Sequence, residues 1–126
     1  MYIDDKLNKL KDFAKQTDLS LQVLKQNKIV GEHSVVYAEQ FYKIKQDVFS
    51  PAIFNGWRTF VPLLEEEESV CGDMLEIDCG SGIIGLHLLR INKIQSLTAS
   101  DISAIAVENT RENAQILHLE NLVTVV

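Results

Sequence analysis

Residues Leu75-Glu76-Ile77-Asp78-Cys79-Gly80-Ser81-Gly82-Ile83-Ile84-Gly85 set a short apolar run directly against three closely spaced glycines, and a second apolar run follows. A buried strand fits the first part, because Leu75 and Ile77 are strand formers bounded by turn residues. Glycines at 80 and 82 allow a tight turn that residues with a Cβ resist. The pattern beyond them has helical spacing. The chain is thus committed to strand, tight loop and helix within a dozen or so residues.

That commitment extends to the C-terminal end. The spacing predicts a strand over 73–78, a helix over 82–91, a strand over 96–100, a helix over 103–118 and a strand over 122–126. Short strands alternating with helices of this length imply parallel pairing and right-handed crossovers. The fold class is therefore α/β, with a partial Rossmann-like sheet of three parallel strands. The last residues, Val123-Thr124-Val125-Val126, still carry an apolar strand signal.

The earlier half reads differently. Leu7, Leu10, Phe13 and Ala14 share one helical face, and Thr17 or Asp18 would cap a second short helix with Leu19, Leu21, Val23 and Leu24. Residues 34–38 and 41–48 read as paired strands with Glu39-Gln40 at the tip, without the favoured Asn-Gly turn. Tyr42, Ile44 and Val48 would face one way, Lys43, Lys45 and Asp47 the other. Ala52 to Leu64 reads as a helix with an apolar stripe of Ile53, Trp57, Phe60, Val61 and Leu64, ending or kinking near Pro62. Residues 1–50 are assigned as a helix and hairpin extension, and 51–126 as the N-terminal half of a ligand-binding α/β domain.

Size and composition bound the function. At 126 residues, 46% hydrophobic and 24% charged, the chain suits one ordinary globular core. No apolar run approaches the roughly 18 residues that span a bilayer, and the acidic start lacks a secretory leader's apolar stretch. Cytoplasm is the expected compartment. Cys71 and Cys79 make neither a disulfide framework nor a zinc site, and His33, His87 and His118 share no metal-ligand spacing, so no metal is expected. Residues 51–126 hold 4 basic against 11 acidic residues, which argues against a large nucleic-acid surface there. The lysines of residues 1–28 and the run Glu65–Glu68 read as solvated faces. Trp57 reads as a core residue and Cys79 as a small loop residue.

The glycine loop, the free N–H groups of a helix start and the carboxylate of Asp101 about 20 residues downstream form a pocket for an adenosine-bearing ligand. Glu76-Ile77-Asp78-Cys79-Gly80-Ser81-Gly82 resembles motif I of the class I S-adenosylmethionine-dependent methyltransferases. Asp101-Ile102-Ser103, with Ala106-Val107-Glu108-Asn109 and Asn113-Ala114, resembles their second strand and following helix. Val48-Phe49-Ser50-Pro51 with residues 107–114 is similar to the small methyltransferase domain group, which includes N-methyltransferases of release-factor glutamine and of RNA base amino groups. The resemblance covers residues 48–126.

It implies S-adenosylmethionine as cofactor and a residue-by-residue site. Gly80 and Gly82 would bring main chain against the methionine part. Glu76 would hold the methionine amino group. Asp101 would take the ribose hydroxyls, Ile102 would press on the adenine, and Phe49 would close one side. Asp78 stands where the family usually has a glycine, so its charge would lie near the ligand's own carboxylate. The family's Asn-Pro-Pro-Tyr-type motif, which positions the methylated amino group, has no counterpart in the 126 residues. The resemblance therefore implies a methyltransferase of protein glutamine or nucleobase amino groups, represented by its N-terminal half and inactive on its own. The first strand would lie at an uncovered sheet edge, offering association with a second copy or a separately encoded half. The alternatives are a non-catalytic S-adenosylmethionine-binding or partner module and an NAD(P)-dependent oxidoreductase. Gly80-Ser81-Gly82-Ile83-Ile84-Gly85 also satisfies the dinucleotide G-x-G-x-x-G pattern, but Glu76, Asp78 and Cys79 stand where that class has apolar residues.

Overall fold

The structure, a computed structural model, describes residues 7–9, 11, 12, 15 and 31–126. Leu7–Lys9, Lys11, Asp12 and Lys15 are helical. The second short helix expected around residues 19–24 lies outside the described residues.

Two strands, β1 (His33–Tyr37) and β2 (Gln40–Ile44), form an antiparallel hairpin in which Tyr37 faces Gln40. The turn therefore falls on Ala38-Glu39, one residue earlier than the sequence suggests. Both turn residues have positive φ, 48° and 65°. The right-handed strand twist favours that mirror-image turn even where no Asn or Gly supplies it. The second strand is also shorter than 41–48, because the chain turns at Asp47, another positive-φ residue at 66°. Tyr42, Ile44 and Val48 are all buried, on the side expected.

Helix α1 (Trp57–Glu66) begins later than expected and runs through Pro62. Pro62 removes the N–H that the Arg58 carbonyl would accept, yet the helix continues for another turn. One lost bond is outweighed by the buried Val61 and the half-buried Trp57 and Leu64 packed on the core. Glu65 is not a free solvated acid as its run suggested. Its Oε1 lies 2.5 Å from Nε2 of His87, a buried residue.

From residue 73 the α/β order follows: β3 (Asp73–Ile77), α2 (Ile83–Arg90), β4 (Ser96–Ser100), α3 (Ala104–Ile116) and β5 (Val123–Val125). These strands form one parallel sheet in the order β3-β4-β5. Register sets Met74, Leu97 and Val123 in one row, and Glu76, Ala99 and Val125 in the next. This face meets the core: Leu97, Ala99 and Val125 are buried with Leu86 and Ala114 from the helices. Leu75 and Ile77 alternate to the other face, where they are 64% and 71% exposed.

The hairpin is bound to α3 through side chains. Asn109 and Asn113, one helical turn apart and fully buried, treat β2 as a neighbouring strand would. Asn113 Oδ1 accepts from Lys43 N and Asn109 Oδ1 from Lys45 N, each at 2.9 Å. Both amide groups donate to the Lys43 carbonyl at 2.8 Å. Buried amides survive because their donors and acceptors are used. Lys43 and Lys45 add ion pairs to Glu112, at 3.3 and 2.8 Å.

Candidate active site

The site lies where β3 ends and its chain turns into α2. Asp78 and Gly80 both have left-handed backbone, φ 60° and 56°, and Gly82 follows at 81°. Three such residues in five reverse the chain tightly, and Cys79 between them donates its N–H to the Ser100 carbonyl at 3.0 Å. The glycines have different reasons to be there. A Cβ on Gly80 would enter open space. One on Gly82 would come within 2.8 Å of Thr110 Cγ2, and one on Gly85 within 2.7 Å of Leu97 Cδ2. Gly82 and Gly85 therefore let α2 sit close to α3 and β4, while Gly80 leaves room on the open side.

Helix α3 holds the loop from behind. Thr110 Oγ1 donates to the Gly80 carbonyl at 2.9 Å, with Cys79 Sγ 3.3 Å away. Asn113 Nδ2 donates to the Ser81 carbonyl at 2.8 Å. Loop carbonyls are thus taken up by α3. In front, Asp101 Oδ2 accepts the Gly80 N–H at 3.0 Å, and its Oδ1 accepts the Ser103 N–H at 2.9 Å. The acid is turned toward the glycine bend. Each carboxylate oxygen keeps lone-pair capacity for another donor.

Glu76 is the unusual group. It shares a row with Ala99 and Val125, its Oε2 accepts the Gly85 N–H at 3.1 Å, and its Oε1 is buried with no hydrogen-bond partner among the described residues. The Gly85 bond supplies an acceptor to a helix start that its own N-cap, Gly82, lacks. Burial pushes the Glu76 carboxyl up to about 7, with the Gly85 N–H pulling the other way. Burial also pushes the Cys79 thiol up, the Thr110 hydroxyl opposes this, and the fields of Glu76 and Asp101 add to it. Such a thiol is a poor nucleophile.

A cleft of about 760 Å³ opens in front of the loop. Glu76, Asp78, Gly80 and Asp101 line one side, and Phe49, Phe54, Trp57 and Phe60 the other. Phe49 stacks on Phe54 with ring centroids 3.7 Å apart. Trp57 Nε1 donates to the Pro51 carbonyl at 2.8 Å, and Arg58 lies over the Trp57 ring at 4.7 Å. Ser50, fully buried, is anchored to His33 Nε2 at 2.6 Å and fixes the approach to Pro51.

Five of the seven residues singled out in the sequence meet in this cleft: Phe49, Glu76, Asp78, Gly80 and Asp101. Gly82 stands behind the wall as the buried N-cap of α2, and Ile102 is 94% exposed and outside the lining. Sequence reasoning missed the cleft roles of Phe54, Trp57 and Phe60, which it placed in a helix over 52–64 with Trp57 and Phe60 on the apolar stripe. The density of aromatics between 49 and 60 was the available signal. It also missed Thr110 and Asn113 as loop supports, where two polar residues on a buried helix face were the sign.

The cleft fits S-adenosylmethionine on three structural grounds. An apolar and aromatic wall suits a purine, the orphaned Glu76 Oε1 suits an ammonium, and the open side of Gly80 admits close approach of a ligand to main chain. Residues 39–126 match the family model described as methyltransferase small domain. A stretch of 51 residues, 40% of this chain, is 45% identical to a ribosomal protein L11 methyltransferase of Herpetosiphon aurantiacus. Another alignment, over 49 residues or 39% of the chain, is 37% identical to a ribosomal RNA small subunit methyltransferase C of Hamiltonella defensa. The matched stretches span only 16% and 15% of those relatives. Among solved structures, a SAM-dependent methyltransferase from Agrobacterium tumefaciens shares the fold, with TM-score 0.53 and 13% identity over 78% of this chain and 32% of that one. The [4+2]-cyclase SpnF does so with TM-score 0.50 and 18% identity, over 89% and 39%. With motif, sheet and family match in agreement, the chain belongs to the methyltransferase small domain family, Rossmann-like enzymes whose cofactor is S-adenosylmethionine.

Proposed function

We propose that residues 31–126 form the cofactor site of an N-methyltransferase acting on a protein glutamine or a nucleobase amino group. The observation that carries the site is Asp101 held against Gly80 N at 3.0 Å beside an open cleft. In this reading Asp101 accepts the ribose hydroxyls while keeping its main-chain bonds. Main chain around Gly80–Gly82 lies along the methionine tail, and Glu76 Oε1 takes the ammonium. Phe49 closes the outer side, and Ile102, which lies outside the lining, is assigned to the adenine only by the family resemblance. When bound, the sulfonium supplies an electrophilic methyl group to a nitrogen lone pair. The protein's part is placement and exclusion of water, for which an apolar wall and a fixed loop are suited.

An ammonium beside Glu76 favours its ionised form, so binding drives a proton off near neutral pH. Calorimetry with S-adenosylmethionine in buffers of different ionisation enthalpy tests this. Saturable binding with proton release, both lost in Glu76→Gln, is expected. Heat indistinguishable from dilution would reject the site.

Acceptor choice rests on the small-domain match and on the two relatives, whose names specify a ribosomal protein and a ribosomal RNA. With no Asn-Pro-Pro-Tyr-type stretch to orient an acceptor, residues 1–126 alone are expected to bind cofactor and transfer methyl groups negligibly. Tritium transfer to glutamine peptides and to RNA checks this. Among the described residues β3 ends the sheet, and its Leu75 and Ile77 are exposed, which supports association there with a second copy or a separately encoded half. A single monomeric species by light scattering at high concentration argues against it. No helix among the described residues is long and apolar enough to cross a membrane.

A further inference from the structure

We propose that Asp78 makes the cleft select for a positively charged sulfonium nucleoside over the neutral thioether left once the methyl group has gone. The proposal rests on the cofactor reading above and assigns a role to the loop acid that reading leaves idle.

Three carboxylates, Glu76, Asp78 and Asp101, line the cleft, and no Lys, Arg or His is among the described residues that do so. Two of the three have structural work. Glu76 accepts the Gly85 N–H, and Asp101 accepts those of Gly80 and Ser103. Asp78 has none. It makes no hydrogen bond or ion pair among the described residues, it is exposed to the cleft, and its backbone sits at φ 60°, where glycine is unstrained. With no such partner among the described residues, what its side chain contributes to the cleft is negative charge.

Charge bookkeeping gives that position a consequence. S-adenosylmethionine carries a sulfonium, an ammonium and a carboxylate, net +1. In methyl transfer the acceptor nitrogen's lone pair forms the new bond to carbon. The C–S bond breaks with its electron pair going to sulfur, and a nitrogen-bound proton leaves to solvent. The nucleoside is then S-adenosylhomocysteine, net neutral. A cleft with unopposed negative charge holds the first more tightly than the second. One unit charge several Å away in a partly desolvated site changes affinity on the order of tenfold. Decarboxylated S-adenosylmethionine, net +2 and without the tail carboxylate that Asp78 repels, binds tighter still.

The test is calorimetric titration of the 126-residue chain at pH 8 with these three nucleosides, repeated on Asp78→Gly and Asp78→Asn. Both residues tolerate the left-handed backbone, so both variants fold. In the wild type the expected order is decarboxylated sulfonium, sulfonium, thioether, with about tenfold between the last two. Both variants lower the sulfonium-to-thioether ratio toward one, because losing the repulsion of the tail carboxylate acts on both ligands alike while losing the attraction to the sulfonium acts on one. A ratio unchanged in both variants, or a wild type that holds the thioether as tightly as the sulfonium, overturns the role of Asp78 and leaves the cofactor site standing. Failure of the wild type to bind any of the three overturns the cofactor site, and this inference with it.

Discussion

The two flanks of the β3 loop are built on opposite terms. Toward α3 and the hairpin, the buried side-chain amides are matched: Asn109 and Asn113 satisfy the backbone of Lys43 and Lys45, and Thr110 and Asn113 hold the carbonyls of Gly80 and Ser81. Toward the cleft, polar capacity is left over: among the described residues, Glu76 Oε1 is buried and unpartnered, and Asp78 has no hydrogen-bond or ion-pair partner. Within the same few residues, one flank fixes the loop and the other presents it. A buried group left without a partner costs stability, and at Glu76 a ligand in the cleft can supply that partner.

That contrast can be broken by mutation. The largest effect is expected at the matched flank. Asn113→Ala removes the acceptor for Lys43 N and the donor to the Ser81 carbonyl, costing about 3–4 kcal/mol by urea denaturation. A loss typical of a surface change, below about 0.5 kcal/mol, would erase the distinction between flanks. Next comes Glu76, whose folded value of about 7 lies above its ordinary 4.5. Between those values the folded state holds the extra proton, so the stabilisation present below about pH 4.5 is lost as pH rises through 7. The difference is about 3 kcal/mol. Glu76→Gln flattens that slope and raises ligand-free stability at pH 8, read from denaturation midpoints across pH.

Asp101→Ala is expected to weaken S-adenosylmethionine binding by more than about tenfold, since bonds to a charged group are worth roughly 1.5–3 kcal/mol. Calorimetry reads this directly, and an unchanged affinity would move the ribose elsewhere. The smallest effect is a gain: Asp78→Gly relieves left-handed backbone and raises stability by about 0.5–1 kcal/mol. A thermal melt showing destabilisation would mean that Asp78 has a partner in solution.

Much of the α/β part is legible in the sequence because its signals are local. The 96–100 strand falls where the apolar run places it, and the other elements from residue 73 onward fall within a residue or two. The Ser103 side chain caps α3 as its type suggests, accepting from Ala106 N at 3.4 Å. Where reading failed, a distant partner decided the outcome. Pro62 stays helical because α1 packs on the core, and Glu65 is paired because the buried His87 lies across from it. The hairpin turn falls on residues with no turn preference because strand register sets it. In the site, the motif placed the acids and Gly80. The aromatic wall had only the density of aromatics between 49 and 60 to signal it, because Trp57 and Phe60 look like ordinary core residues until the fold shows what they face.

The chain's single tryptophan stands in that wall. Its indole is pinned to Pro51 on one side and covered by Arg58 on the other, so its emission has one source and one local environment. A nucleoside entering beside it displaces water from the ring, and intrinsic fluorescence then shifts without any added label. The protein carries its own optical gauge of occupancy.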